Sequence, residues 1–445
     1  MNINKKEFLT EYFNTLNKNN AEYFIYGEYS NLPVDTNGSD IDMIIFCGTD
    51  KIPLHIKILL EISIKYNLNL VSAYYNTTSY FLRLLSKDGW GIQFDMLRNM
   101  HYHNGKNYYP IKYIKNDIIN HNNIKVLNIN VGYYLDYLKE TSHILKVKEK
   151  YAKGFLQEYV NNPNRKTELQ TLYGNKFINL IESNLSTEQL CKIAPTVGKY
   201  IRSTIHKHDF ITRTFLKVNN IRRFTKSPGY VIAILGTDGS GKSTIINKIT
   251  PILNEGFHKG IIYNHLRPNV LPDIGVILGK RKKTEEITVV SNPHAEKQSG
   301  LIGSLLRWGY YMIDYTVGYL KTVFPVIHTK SKVFIFDRYY YDYYIDQKRS
   351  RTNLPNWILK IGECFIPKPD LILCLGGDPE KIYNRKPETS LQEVTRQTNV
   401  LKQFCTNHKN AVWIDTCTDI ETSIDQAMEA ICKMMSKRFS NFKFR

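Results

Sequence analysis

The chain has no C-x-x-C pair. Its seven cysteines (Cys47, Cys191, Cys364, Cys374, Cys405, Cys417 and Cys432) are scattered, which argues against a zinc site or a disulfide framework and for a reducing compartment. No apolar stretch follows the charges of the opening MNINKKEFLT, so no secretory signal is expected. No uninterrupted apolar run is long enough for a membrane. The longest apolar tract, Leu301 to Ile327, carries Arg307, Asp314 and Lys321, whose charges would be costly in lipid. It reads as a core helix with one polar edge, and the protein as cytoplasmic. Internal repeats and low-complexity linkers are missing too. The 445 residues are too many for one ordinary core, so two or three domains packed together are expected.

What the chain has in excess is positive charge. Its formal net charge is +19, with 42% hydrophobic and 23% charged residues, a composition that fits a soluble globular protein. Such a charge invites a nucleic-acid or membrane-surface partner. Lys, Asn, Ile and Tyr are abundant throughout, however, so the basicity is diffuse and nucleic acid is not the favoured partner.

The most informative stretch is Tyr230 to Thr244, YVIAILGTDGSGKST. An apolar run, Val231 to Leu235, leads into Gly236-Thr237-Asp238-Gly239-Ser240-Gly241-Lys242-Ser243-Thr244, and a helical pattern follows. This is the P-loop spacing G-x-x-x-x-G-K-[ST] in its proper strand–loop–helix setting. Gly236, Gly239 and Gly241 are expected to let the backbone take positive φ and turn its N–H groups onto phosphate oxygens, and the helix start adds partial positive charge. Lys242 can reach the β and γ phosphates, and the Ser243 hydroxyl can ligate Mg²⁺. ATP with Mg²⁺ is the expected cofactor pair.

Further apolar strands follow. Val333 to Phe336 ends in Asp337-Arg338-Tyr339, Asp370 to Leu375 comes after Pro367-Lys368-Pro369, and Ala411 to Ile414 lies near the end. Their alternation with helical stretches predicts a parallel sheet covered on both faces. An acid at the carboxyl end of a strand beside a P-loop suits Mg²⁺ or its water shell, and an adjacent arginine can grip a second phosphate. The alternative for Asp337-Arg338 is a structural ion pair.

In this order, GTDGSGKST, FIFDRYY and PKPDLILCLGGDPEKIYNRKPE resemble thymidylate kinase and its nucleoside-monophosphate-kinase relatives, from about Pro228 onward. The resemblance implies that Asp238 faces the acceptor's sugar hydroxyl, that Asp337 sits at Mg²⁺ and acceptor, and that Arg338 holds the acceptor phosphate. It also implies that Arg385 and Lys386 belong to a lid over the transferring phosphoryl, and that Arg267 is a further acceptor-binding arginine. For Arg385-Lys386 a solvated helix end is the alternative. The segment from Arg267 to the DRY strand is longer than a compact thymidylate kinase needs and carries the basic turn Gly279-Lys280-Arg281-Lys282-Lys283. The acceptor is therefore expected to carry a phosphate without having to be a thymidine nucleotide.

In the N-terminal half, a strand-like run, Ala21 to Gly27, is followed by a polar loop and then Ser39-Asp40-Ile41-Asp42-Met43-Ile44-Ile45-Phe46. On a strand, Asp40 and Asp42 share one face while Ile41 and Met43 take the other. A third acid, Asp95, lies in GIQFDML. Paired carboxylates at a strand start suit hard divalent cations. The pattern resembles the nucleotidyltransferase superfamily over about Glu22 to Arg98, which implies that Asp40, Asp42 and Asp95 hold metal. One departure stands out. The superfamily expects Gly-Ser or Gly-Gly before the loop, and here the pair is Gly27-Glu28, a carboxylate where a triphosphate would sit.

Residues from about His101 to Lys226 read as helix with polar breaks. Tyr133 to Tyr159 has i, i+3, i+4 periodicity, and Ser186 with Gln189 looks like a capping box. The stretch closes on the densest basic run in the chain, with Lys199, Arg202, Lys207, Arg213, Lys217, Arg222, Arg223 and Lys226. It reads either as an anion-binding surface or, by preference, as a face packing its alkyl stems.

The expected architecture is a multidomain α/β chain: a nucleotidyltransferase-like α/β domain over 1–115, a helical connector over 116–226, and a thymidylate kinase-like P-loop domain over 227–445, acting as a homodimer. Three functions compete. The first is an ATP-dependent kinase of a phosphorylated small molecule, with a second module attached. The second is a nucleotidyltransferase acting on a polymer or nucleic acid, with the P-loop as nucleotide sensor, in surface-polysaccharide assembly or phage defence. The third is a non-enzymatic nucleotide-binding regulator.

Overall fold

A computed structural model describes residues 3–46, 53–75, 79–98, 100–102, 106–205, 214, 218, 221, 223–272, 274 and 298–440. In the N-terminal half, strands β1 (Tyr23–Tyr26), β2 (Ile41–Ile45), β3 (Leu68–Tyr75), β4 (Ser79–Ser86) and β5 (Gly91–Leu97) join β8 (Ile118–His121) and β9 (Ile124–Leu127) in a mixed seven-stranded sheet. The strand order is β3-β4-β5-β2-β1-β9-β8. Two short strands, β6 (His101–Tyr102) and β7 (Lys106–Asn107), pair separately.

Alternate residues of β1 and β2 face opposite sides, as the strand period requires. Tyr23, Ile25, Ile41 and Met43 pack with helices α1 (Ile3–Lys18) and α2 (Leu54–Lys65). Phe24, Tyr26 and Ile44 pack under α3 (Ile129–Ile144), α4 (Glu149–Asn161), α5 (Pro163–Tyr173), α6 (Asn175–Glu182) and α7 (Thr187–Thr204).

Two parts of the helical reading are corrected. Residues 118–127 form a hairpin, β8–β9, and β9 pairs in parallel with β1. The signal is Asn122-Asn123, both at positive φ, which is the two-residue turn that a right-twisted hairpin prefers. Tyr133 to Tyr159 is also two helices rather than one. Leu145 takes the left-handed conformation (φ 58) and its N–H caps Thr141 O, so α4 folds back with Gly154 against Tyr133. Apolar periodicity continues through such a reversal and does not encode it. At Ser186 the side chain accepts from Gln189 N to open α7.

The C-terminal half is a parallel sheet with helices on both faces. Its strands are β10 (Tyr230–Gly236), β11 (Ile261–His265), β12 (Val333–Asp337), β13 (Leu371–Gly376) and β14 (Ala411–Asp415), in the order β11-β12-β10-β13-β14. Every residue of β10 is buried. Ile232 and Ile234 meet α8 (Lys242–Gly256) on one side of the sheet. The other side is covered through Leu235 and Ala233 by residues of a tyrosine-rich cluster.

Around that second face run α9 (Leu301–Ile313), α10 (Tyr319–Thr329), α11 (Asp342–Ile345) and α12 (Asn356–Glu363); α13 (Pro379–Arg385) follows β13, α14 (Leu391–Asn407) returns to the second face, and α15 (Ile420–Phe439) packs on the first face with α8. The reading of Leu301 to Ile327 as a core helix with a polar edge holds for its second half, where Tyr319, Val323 and Ile327 are buried and Lys321 is exposed, and fails for the first. A π-helical turn, Asp314–Gly318, interrupts the tract. Asp314 is fully buried, while Ile302 and Leu306 are 76% and 71% exposed. The buried carboxylate accepts from Arg267 Nη1 (2.5 Å) and from the backbone N–H groups of Asn269, Val270 and Leu271. Among the described residues no helix is long and apolar enough to cross a membrane.

One hydrophobic cluster runs through both halves, joining Met43, Leu82 and Phe94 to Ile249, Leu253 and Met428. The Ser72 hydroxyl donates to Pro228 O (2.8 Å), and the Tyr230 hydroxyl donates to Val71 O and to Met435 O. Of the basic run, Lys207, Arg213, Lys217 and Arg222 lie outside the described residues, as does the turn at 279–283. Arg202 donates to Ser142 O and His143 O, Arg223 lies 4.2 Å over the Tyr74 ring, and Lys226 lies over Phe439.

Candidate active sites at the P-loop and at three carboxylates

Strand β10 delivers the chain at Gly236, and α8 begins at Lys242. Between them Gly239 (φ +80) and Gly241 (φ +82) are left-handed, and a Cβ on Gly239 would stand 2.7 Å from Ile382 O; Gly236, expected to share that conformation, is instead the last residue of β10, where a Cβ would stand 2.8 Å from Leu375 O. Only glycine fits there. The hydroxyls of Thr237 and Ser240 are buried without a partner, while Ser243 and Thr244 are exposed in the first turn of α8.

Lys242 Nζ donates to the loop's own carbonyls, Gly236 O (3.0 Å) and Thr237 O (2.7 Å). Burial, with Arg338 close by, pushes its pKa down to about 7. An anion at this place would restore the favour of the charged form.

Asp337 ends β12, the parallel neighbour of β10, opposite Ile234. Its Oδ2 accepts from Tyr263 Oη (3.1 Å) and lies 3.5 Å from His265 Nδ1, while Oδ1 is buried with no partner. Burial opposes its charge, but His265 and Lys242 outweigh it and hold the carboxyl below its ordinary range. A buried, ionised oxygen without a partner beside a P-loop is a fitting ligand for Mg²⁺ or its water. Ser243 at the helix start would supply the second ligand, and the loop N–H groups with Lys242 would hold the phosphates of ATP.

Arg338 is also left-handed (φ 70). Its guanidinium bridges Asp342 Oδ1 and Asp238 Oδ1, both at 2.7 Å. Arg349 grips the other oxygen of Asp238. Burial resists ionisation of Asp238, yet Arg338, Arg349 and Lys242 hold its pKa far below the usual range. Arg385 ends α13 and donates to Thr416 O (2.8 Å), and the stem of Lys386 lies against Gly239. Arg267, by contrast, is engaged by Asp314 and lies 4.6 Å over the Tyr311 ring.

The second constellation stands in the N-terminal sheet. Asp42 on β2 lies opposite Asp95 on β5, its parallel neighbour. Asp40, Asp42 and Asp95 each bring a carboxylate oxygen within 4.8 Å of the others. Burial and the charge of Asp40 push Asp42 up to about 8 and Asp95 up to about 6, against the pull of Arg83 on Asp95. Gln93 Nε2 donates to Asp95 Oδ1 (2.9 Å) and Asp40 Oδ2 (3.5 Å). Such a set is satisfied by bound protons or by a divalent cation. Helix α3 adds Asp136, which accepts from the Tyr26 hydroxyl (2.6 Å), and Lys139, whose charge favours ionised Asp42. Glu28 is turned onto its own loop, accepting from Ser30 N (3.0 Å). That contact, with a smaller pull from Lys150, holds its pKa down.

No protein-family model matches the chain, and no curated protein matches it. Among solved structures it is similar to a thymidylate kinase from Ehrlichia chaffeensis, at 14% identity over 45% of this chain and 95% of that one, with a TM-score of 0.30.

Several residues at these centres escape a reading by motif. Arg349 sits in QKRSR, a basic loop without a pattern. Tyr263 and His265 alternate on β11 so that both meet Asp337 across the sheet, which strand parity could have shown once β11 was placed beside β12. Lys139 and Lys150 come from helices whose packing on the carboxylate face has no local sequence signal.

Proposed function

We propose that the chain is an ATP- and Mg²⁺-dependent phosphotransferase acting on an acceptor that already carries a phosphate, a nucleoside monophosphate being the reference case. One observation carries the reading: Lys242 at the start of α8 stands with Asp337, whose free buried oxygen lies on the adjacent strand. When bound, Mg²⁺ would neutralise charge on the donor phosphates. Lys242 would exchange its two loop carbonyls for phosphate oxygens, and the N–H groups of Gly239 to Lys242 would fix the donor's position. Arg338 and Arg349, both drawn to Asp238, would be the cations available to the acceptor phosphate, with Arg385 and Lys386 at the edge of the loop. Catalysis of this kind needs positioning and charge compensation more than covalent chemistry.

The test is incubation with ATP, Mg²⁺ and a panel of nucleoside monophosphates and sugar phosphates, scored by new phosphorylated products. Lys242→Ala should lower the rate roughly 10³-fold, and turnover at the wild-type rate would remove the assignment. A second activity, nucleotidyl transfer at Asp40, Asp42 and Asp95, is favoured by the convergence of the three carboxylates. Release of pyrophosphate from a nucleoside triphosphate, abolished in Asp42→Asn, would be its mark.

A further inference from the structure

The carboxylate centre stands against the end of α8, the helix that begins at the P-loop. Two lines of contact lead from that end to the carboxylates. Along the first, His258 Nδ1 lies 2.8 Å from Gly38 O, so Nδ1 carries the proton and donates. Gly38 is two residues ahead of Asp40, in the loop between β1 and β2. The same loop is held at Asp35 by Lys5 (2.9 Å), a buried lysine that also reaches Glu255 on α8 (3.4 Å). Along the second, the Phe257 ring lies 5.6 Å from the Arg83 guanidinium. Arg83 Nε donates to Gln93 Oε1 (3.1 Å), and Gln93 donates to Asp95. Glu255 adds a bond from Gly91 N (3.3 Å), at the start of the strand that carries Asp95. Both Asp40 and Asp95 are thus oriented through residues that follow the P-loop in sequence.

We propose that His258 is a positioning residue of the carboxylate centre, supplied across the interface by the C-terminal half. It fixes the β1–β2 loop, and so the direction of Asp40, for a divalent cation. This rests on reading Asp40, Asp42 and Asp95 as a cation centre. The imidazole is half-buried. Its action on the cation runs through Gly38 and the loop, in the way that hydrogen bonds outside a metal's own ligand set orient those ligands.

The experiment uses the full chain and Mn²⁺ alone, without nucleotide, with free Mn²⁺ counted by electron paramagnetic resonance. Wild type should show a site that Asp42→Asn loses. His258→Ala should weaken that site about ten-fold, while a fluorescent ATP analogue binds the P-loop as in wild type. His258→Asn keeps an N–H near the place of Nδ1 and should recover Mn²⁺ binding to near the wild-type value. Wild-type Mn²⁺ affinity in His258→Ala overturns the proposal. So does an Asn variant as weak as the Ala variant, which would make Nε2 the working atom. Should His258→Ala not fold, the Asn variant decides alone: wild-type affinity supports the positioning role, and a ten-fold loss removes it. If wild type binds no Mn²⁺, or Asp42→Asn binds it equally well, the cation centre itself fails, a pattern distinct from either.

Discussion

Arg338 occupies a left-handed conformation that costs a residue with a side chain about 1–3 kcal/mol. Its N–H to Ile234 O and its two carboxylate partners hold it there. The resulting direction of the guanidinium is what a lysine cannot copy, because the charge survives and the fork does not. Arg338→Lys should therefore raise the KM for the acceptor more than that for ATP. Equal effects in steady-state kinetics would place the residue on the donor side. Asp42 makes a prediction about pH. Its folded pKa of about 8 stands above the unfolded 3.8. Below the lower value both states hold the proton. From there up to about pH 8 only the folded state keeps it, so stability falls as pH rises and the loss is complete above the folded value. In EDTA, the denaturation midpoint of wild type should drop between pH 5 and pH 8 more than that of Asp42→Asn, and Mn²⁺ should restore it at pH 8. Parallel pH profiles of the two proteins would contradict this.

Among the elements, the π-helical turn between α9 and α10 matters most for the P-loop half. It aims Asp314 at the loop after β11, so one carboxylate satisfies three backbone N–H groups and Arg267. Asp314→Ala leaves a buried guanidinium without its carboxylate, and should cost about 3–5 kcal/mol in urea unfolding. A loss under 1 kcal/mol, within the range of surface substitutions, would show the anchor to be incidental. This turn also marks where the sequence stops being legible. Strands β10, β12 and β13 announce themselves as apolar runs, and the P-loop by its glycine spacing, because both are local codes. The cap at Ser186 is local too. The burial of Asp314, the reversal at Leu145 and the approach of Arg349 to Asp238 depend on partners 43 or more residues away or on one backbone angle, which composition and periodicity do not carry. Glu28 was legible as a misfit; its turn onto Ser30 was not.

At the scale of the whole molecule, the two sheets share a hydrophobic cluster, and at Gly91 strand β5 runs tight against the end of α8. A Cβ there would stand 2.8 Å from Gly256 N and 3.0 Å from Leu84 O, with no flexible side chain to yield. Gly91→Ala should destabilise the chain by about 1–3 kcal/mol, the usual cost of overpacking. It should do so in one transition, seen alike by far-UV circular dichroism and by fluorescence of Trp90 and Trp413 in the two halves. Separate transitions would mean that the halves unfold independently. The helix between the two centres has one more implication. From Lys242 to Gly256 it has 15 residues, about 22 Å at the rise of an α-helix, and it works as a ruler. A small acceptor cannot touch both ends at once, so any compound that both centres modify must be released from one before it reaches the other. Only an extended, oligomeric substrate could lie across both. A competing enzyme that consumes the free intermediate would starve the second step in the first case and leave it untouched in the second.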